Sequence, residues 1–285
     1  MISPVADVEA FFTREPVAIS AELRSVRGSS PRAQGTFMLV GAKTLFGTIG
    51  GGALEYLVID HARRLIASGR PGDVLDVPLG PEIGQCCGGR VEVQLDVVTP
   101  ARAGHFRARL ARAWDERPMV MIFGAGHVGR ALARARALLP VRAVAIDTRP
   151  DELAGLPEAI ETMVSAMPEA LVAGTPVGTS YVILTHDHAL DFLIAFEALK
   201  RDDSPYVGMV GSRTKRGKFA SWYREVGGDE EALDRLVLPI GQQGLGDKRP
   251  EVIAALAAAE IMVHIGRREV TVRPEIHFAG AVDGR

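Results

Sequence analysis

The sequence predicts an α/β protein in which a β-rich α+β N-terminal domain precedes a domain with a parallel sheet. Its length of 285 residues is suited to about two domains. Short strand patterns separated by glycine and proline turns fill the first part, whereas continuously apolar runs followed by glycine turns and helices fill the second. We therefore predict an N-terminal domain over 1–100, a linker helix over 101–117, a C-terminal domain over 118–266 and a polar tail over 267–285.

Composition narrows the class of protein. Hydrophobic residues make up 47% and charged residues 24%, as in soluble globular proteins, and the net charge of −2 without a long basic run argues against nucleic-acid binding. No apolar stretch is long enough to span a membrane, and the N-terminus lacks a basic region followed by an apolar run. Two cysteines without a secretion signal fit a reducing compartment. We expect a cytoplasmic protein that binds neither nucleic acid nor membrane.

The N-terminal domain combines strands with one main helix. Strands are predicted at 17–23, 36–40, 44–46, 74–77 and 90–98, and a helix at about 53–67. Gly50, Gly51 and Gly52 stand directly before this helix, where exposed N–H groups and the helix dipole favour an anion such as phosphate. Arg32, in an earlier turn, could add a bidentate phosphate contact. The alternative is a plain glycine turn.

Two adjacent cysteines, Cys86 and Cys87, are the only ones in the chain. A disulfide between neighbours is strained, and two thiols cannot form a four-cysteine zinc site. Glycines on both sides free the backbone for close approach by a ligand, so the pair suits sulfur chemistry or contact with a soft metal. The alternative is a pair of small buried apolar side chains.

A dinucleotide-binding fingerprint opens the C-terminal domain. The apolar strand Met119–Phe123 leads into Gly124-Ala125-Gly126-His127-Val128-Gly129 and a helix over 131–138, and a second strand, 141–146, ends at Asp147. This order of strand, G-x-G-x-x-G, helix, strand and acidic residue predicts a Rossmann-like fold that binds a nucleotide or phosphate. The alternative is a Rossmann fold that has no cofactor.

Further candidates follow later strands. His186 and His188 come directly after a strand over 180–184, where they could bind a metal or act as acid–base groups, or instead cap the next helix and face solvent. Arg213 leads a basic helix start after a glycine turn, which could hold an anionic group or be a solvated face. The apolar helix over 250–265 indicates burial against the sheet or against a second copy in a homodimer.

Several of these segments together resemble the XdhC/CoxI family. The resemblance is carried by residues 28–32, 47–55 and 87–93 in the first half, and by residues 124–129, 185–188, 211–215 and 246–251 in the second. It implies a chaperone that binds the molybdopterin form of the molybdenum cofactor. Such a protein is an accessory protein rather than an enzyme. Such a chaperone holds the cofactor while sulfide replaces an oxo ligand of molybdenum, and delivers it to apo-xanthine dehydrogenase. A cysteine desulfurase would be the partner that supplies the sulfur.

The resemblance also suggests roles for residues. Either the Gly50–Gly52 loop or the Gly124–Gly129 loop would take the cofactor phosphate, Arg32 would neutralise charge, and Cys87 or Cys86 would contact molybdenum or its sulfur. Two alternatives stay open. One is an NAD(P)-dependent oxidoreductase in which Asp147 holds the ribose and His186 or His188 is the acid–base group, and the other is a nucleotide-binding scaffold.

Overall fold

The computed structural model describes residues 4–81, 88–158, 160–241 and 246–272, with side chains as far as Arg267. The chain divides into two compact units, of which the first ends at Glu116 and the second begins at Arg117. Each unit has its own sheet and its own apolar core. Cys86 and Cys87 lie outside the described residues.

The first unit contains a five-stranded antiparallel sheet. Its strands are β1 (Ala18–Arg27), β2 (Phe37–Gly41), β3 (Leu45–Gly47), β4 (Gly72–Pro78) and β5 (Arg90–Val97), in the order β3-β2-β1-β5-β4. Helix α2 (Gly52–Ser68) packs Leu54, Val58 and Leu65 against one face of this sheet, as the sequence predicted. The sheet and α2 therefore form the β-rich core of the unit.

Two further helices cover the opposite face. These are α1 (Pro4–Arg14) and α3 (Pro100–Asp115). Their side chains Phe11 and Phe106 form a second core with Ala18 of β1 and Leu39 of β2. The residues next to Ala18 and Leu39 along these strands point into the core under α2. Successive strand residues face opposite sides of a sheet, so this sheet is buried on both. Helix α1 was not predicted. The predicted linker helix corresponds to α3 and is part of the first unit, because its apolar side chains pack against those of α1.

The second unit is built on a six-stranded sheet that is parallel throughout. Its strands are β6 (Met119–Phe123), β7 (Arg142–Asp147), β8 (Glu161–Val164), β9 (Ser180–Ile183), β10 (Val207–Met209) and β11 (Leu236–Val237), in the order β11-β10-β9-β6-β7-β8. The order reverses between β6 and β9, which places a topological switch point there. The predicted Rossmann-like fold is confirmed.

Helices lie on both faces of the parallel sheet. They are α4 (His127–Ala135), α5 (Pro150–Leu153), α6 (His188–Leu199), α7 (Arg213–Glu225), α8 (Glu230–Leu233) and α9 (Pro250–Val272), with 3-10 turns at Arg136–Leu138 and Pro168–Gly174. Along β6, Val120 and Ile122 enter one core while Met121 and Phe123 enter the other, which explains the unbroken apolar run.

Helix α9 extends further than predicted and is packed within its own unit. It runs to Val272, into the predicted tail, and residues 273–285 lie outside the described part of the chain. Ala254, Ala257, Ile261 and Ile265 are buried in the core that also contains residues of α4. Most of the apolar face of α9, which suggested a homodimer, is therefore buried inside the unit. Among the helices that the structure describes, none combines the length and apolarity needed to cross a membrane.

Candidate functional site

The loop between β6 and α4 brings the fingerprint glycines into close backbone contact. Gly124 has φ 103°, and a Cβ there would lie 2.4 Å from the carbonyl oxygen of Leu184, at the end of the neighbouring strand. A Cβ at Gly129 would lie 2.0 Å from the carbonyl oxygen of Gly124. Glycine at both positions lets α4 start directly beneath the ends of β6 and β9.

The N-terminus of α4 has the features of an anion site. Gly126 is the N-cap residue, and no side chain caps the helix. The first N–H groups of a helix have no partner inside it and carry its positive dipole end. Among the described residues, no atom lies within 4 Å of a Cβ added at Gly126, so a side chain at this position would have open space. His127, the first residue of the helix, is exposed.

Asp147, at the end of β7, is bonded to the protein itself. Its side chain is 3% exposed and accepts hydrogen bonds from the Ala125 amide at 2.8 Å and from the Arg149 amide and side chain. Burial acts to raise the pKa of Asp147, but the hydrogen bonds from Arg149 and Ala125 outweigh it and hold the pKa below its ordinary value. Oδ2 thus bonds to the glycine loop, while Oδ1 bonds to Arg149, so Asp147 connects the two segments.

A narrow crevice lies at the switch point. We call the space lined by Gly124, Asp147, Thr185 and His186 the switch-point crevice. Its cavity volume is about 10 Å³, enough for roughly one water molecule, so a larger ligand would lie across its mouth. Because α4 begins beside it, the crevice and the N-terminus of α4 lie together at the edge of the sheet where ligands bind in open α/β folds, and we call this edge the ligand edge.

The two candidate histidines are both exposed beside the crevice. Asp187, between them, caps α6 by accepting hydrogen bonds from the amides of Ala189 and Leu190, and His188 is the first helical residue. Within the described part of the chain, no group of three or more metal-binding side chains is found. His186 can face a ligand at the crevice, whereas the capping role that sequence analysis left open belongs to Asp187.

The basic segment at the start of α7 divides into exposed and buried cations. Arg213 is exposed, as expected for a residue that could meet an anion, and Ser212 caps the helix. Lys215 is instead buried and pairs with Asp191, a residue of α6 whose side chain has no exposed surface. The segment is therefore not a fully solvated basic face, because Lys215 is buried and paired while Arg213 is exposed.

In the first unit, the Gly50–Gly52 loop already holds a carboxylate. All three glycines have positive φ, and Oε2 of Glu55 accepts hydrogen bonds from Thr48 Oγ1 at 2.6 Å, Ile49 N at 3.2 Å and Gly51 N at 2.9 Å. A carboxylate near a helix N-terminus is favourable, and here it binds two amides at the entry to α2. The loop was predicted as an anion cradle, and Glu55 is an internal carboxylate that already binds part of it.

We expect Glu55→Ala to lower the free energy of unfolding of the first unit by about 2 kcal/mol, because it leaves the amides of Ile49 and Gly51 without their charged acceptor. Urea denaturation followed by circular dichroism measures this loss. The control is Asp60→Ala on the same helix, which removes an exposed ion pair with Arg64 and should change stability by less than about 0.5 kcal/mol. Equal stability of the two variants would contradict this role of Glu55.

Three sequence motifs of the first unit meet at one place. A Cβ at Gly50 would lie 2.7 Å from Pro31 Cγ and 3.5 Å from Arg32 Cγ, so Arg32 lies beside the glycine loop, with its side chain exposed. A Cβ at Gly89 would lie 2.0 Å from the carbonyl oxygen of Ser29. The 28–32 turn therefore touches both the glycine loop and the residues that follow the cysteine pair.

Sequence reasoning missed the internal partners of the glycine loops. Glu55 stands four residues after Gly51, a spacing close to that of a capping box, and this was the available signal. Asp191 and Lys215 were each noted as polar groups near strand ends, but nothing in the sequence connects them. Burial of Asp191 in an otherwise apolar helix was the one indication that it needed a charged partner.

These features define an α/β protein whose second unit is a Rossmann-type domain with a ligand edge at the switch point. A family model described as the XdhC Rossmann domain matches residues 120–261, and one described as the XdhC and CoxI family matches residues 14–78. Together they match more than two thirds of the chain. The chain belongs to the XdhC family.

Individual relatives agree with this assignment. The uncharacterized protein YqeB of Escherichia coli (strain K12) is 26% identical over 247 residues, which are 85% of this chain and 42% of YqeB. The chain thus spans less than half the length of that curated relative. A crystal structure from Bacillus halodurans, described as a xanthine dehydrogenase, superposes with a TM-score of 0.78 at 19% identity, covering 96% of this chain and 98% of that one. At this identity the second match supports the fold alone.

Proposed function

We propose that this protein is a chaperone for the molybdenum cofactor. It binds the molybdopterin form, holds it while sulfide from a cysteine desulfurase replaces an oxo ligand of molybdenum, and passes it to apo-xanthine dehydrogenase. The observation that carries the proposal is the N-terminus of α4, which has no side-chain cap among the described residues and lies at the topological switch point of the parallel sheet. The identity of the cargo is proposed from the resemblance to the family.

The chemistry of the α4 edge fits such a cargo. Molybdopterin carries a phosphate, and backbone N–H groups at a helix N-terminus bind phosphate through hydrogen bonds and the helix dipole. A carboxylate accepts amides beside each glycine loop: Glu55 accepts from Ile49 and Gly51, and Asp147 accepts from Ala125. We assign the phosphate to the Gly124–Gly129 loop because it lies at the topological switch point of the parallel sheet, where ligands bind in this fold.

The residues around this loop have distinct tasks in holding the cargo. Asp147 keeps the loop in its open shape by accepting the Ala125 amide, and the Arg149 side chain balances its charge. His186, exposed beside the crevice, and Arg213, exposed at the start of α7, are the polar side chains proposed to contact the rest of the cofactor. Arg32 is a proposed cation of the first unit, exposed beside the Gly50–Gly52 loop.

Delivery is tested by reconstitution. The protein, loaded anaerobically with molybdenum cofactor and incubated with a cysteine desulfurase and cysteine, should activate apo-xanthine dehydrogenase. Omission of the desulfurase should leave the enzyme loaded with pterin but inactive. The proposal would be contradicted if the cofactor activated the enzyme equally well in the presence and in the absence of this protein.

The thiol pair makes a separate prediction. We expect the Cys86→Ala/Cys87→Ala variant to retain less cofactor through gel filtration than the wild type, since a thiolate is a good partner for molybdenum or its sulfur. The matched control is Glu82→Ala, which changes the same segment and leaves both thiols in place. Unchanged retention in the double alanine variant would remove both cysteines from the site.

A further inference from the structure

A buried ion pair connects two helices of the second unit with the ends of two neighbouring strands. Lys215 Nζ donates to Asp191 Oδ2 and, at 2.9 Å, to the carbonyl oxygen of Val210. Asp191 Oδ1 in turn accepts from the amide of Thr185 at 3.0 Å and from its hydroxyl at 2.7 Å. The Lys215 side chain is 8% exposed and that of Asp191 is completely buried.

The bonds of this pair end on the segments that line two neighbouring cavities. Thr185 follows β9 and lines the switch-point crevice. Val210 follows β10 and lines a second cavity of about 360 Å³, together with Gly211 and Lys248. Because β9 and β10 are adjacent and parallel, both loops lie at the carboxyl edge of the sheet, where ligands bind in this fold. One ion pair therefore fixes the backbone of two loops at the ligand edge.

Stability alone is a weak reason for such a pair. Removing two charges from water costs several kcal/mol per ion, and well-packed apolar side chains often serve a core as well or better. The fold also makes room for the pair, since a Cβ at Gly211 would lie 2.6 Å from Lys215 Cδ. A side chain at position 211 would therefore displace Lys215 from its path over the loop.

We propose that Asp191 and Lys215 are positioning residues for the ligand edge: they hold the Thr185–Asp187 and Val210–Ser212 segments in the arrangement that receives the ligand. Neither side chain contacts the ligand in this account, and both act through the backbone and hydroxyl groups that they bind. The proposal rests on the proposed function only for the identity of the ligand.

The test replaces the charges but keeps the volume. In Asp191→Asn/Lys215→Met, the asparagine oxygen can still accept from Thr185, while the bond to the Val210 carbonyl is lost. We expect a melting temperature within a few degrees of wild type, hydrogen exchange at the Thr185 and Val210 amides faster by about tenfold, and a Kd for purified molybdenum cofactor raised by about tenfold. The control, Arg224→Met/Glu230→Gln, removes an exposed pair and should change none of these.

A second variant guards against a folding defect. Gly211→Ala displaces only the flexible Lys215 chain and the tip of Leu238, so it should fold and still weaken cofactor binding. Wild-type exchange rates in both variants would overturn the positioning role, as would wild-type cofactor affinity in stably folded variants. If the wild type binds no cofactor, the proposed function fails, and the exchange rates alone decide whether the pair fixes the two loops.

Discussion

Replacing Gly126 by aspartate should abolish cofactor retention while the second unit stays folded. Aspartate is a favoured N-cap residue and has open space at this position, so we expect stability within about 1 kcal/mol of wild type. Its carboxylate would accept hydrogen bonds from the first amides of α4 and place a negative charge where the phosphate binds. We expect the Kd for molybdenum cofactor to rise by tenfold at least, about 1.4 kcal/mol in binding free energy.

Gly126→Asn is the matched control for charge. Asparagine has almost the same shape and caps a helix equally well, but it does not repel a phosphate. The difference in cofactor affinity between the two variants, measured by anaerobic titration, therefore reports on the charge of the ligand at α4. Equal affinities would show that the phosphate does not bind at this loop.

Gly129→Ala should be the most destabilising single-methyl substitution in the second unit. Its Cβ would lie 2.0 Å from the carbonyl oxygen of Gly124, and because this neighbour is backbone, no side chain can move to relieve the clash. Helix α4 must then move away from β6, which we expect to cost about 3 kcal/mol in the free energy of unfolding and to weaken cofactor binding.

The control for this effect lies in the same loop. Gly126→Ala adds the same methyl group where it meets no atom within 4 Å, and it should cost less than about 1 kcal/mol. Thermal or urea unfolding of both variants measures the difference. A Gly129→Ala protein as stable as Gly126→Ala would mean that the close approach of α4 to the loop is not rigid.

The sequence predicted the second unit well because its signals are local. An apolar strand, a G-x-G-x-x-G turn and a helix follow each other directly, and each parallel strand of this kind is buried on both faces. Helix α1 carries a shorter local signal, with Val8, Phe11 and Phe12 at helical spacing, and its apolar residues pack both on α3, far along the chain, and on the sheet. Contacts between elements that lie far apart in the sequence cannot be predicted from the pattern of one segment alone.

Parts of the site escaped prediction for the same reason. The glycine loops were correctly singled out as places where N–H groups gather, but which anion they hold depends on side chains that fold back onto them. Glu55 accepts from the Gly51 amide in one loop, Asp147 accepts from the Ala125 amide in the other, and Asp191 meets Lys215 across two helices. The proposed phosphate site at α4 rests on the switch point of the parallel sheet.

The most direct test of the central claim is the pterin content of the protein itself. The wild type is incubated anaerobically with purified molybdenum cofactor, separated by gel filtration, and its bound pterin measured by fluorescence after oxidation, beside a parallel titration with NADH. The account predicts close to one pterin per chain and no saturable binding of NADH. Saturable binding of NADH without retained pterin would contradict it and favour an oxidoreductase or a nucleotide-binding scaffold.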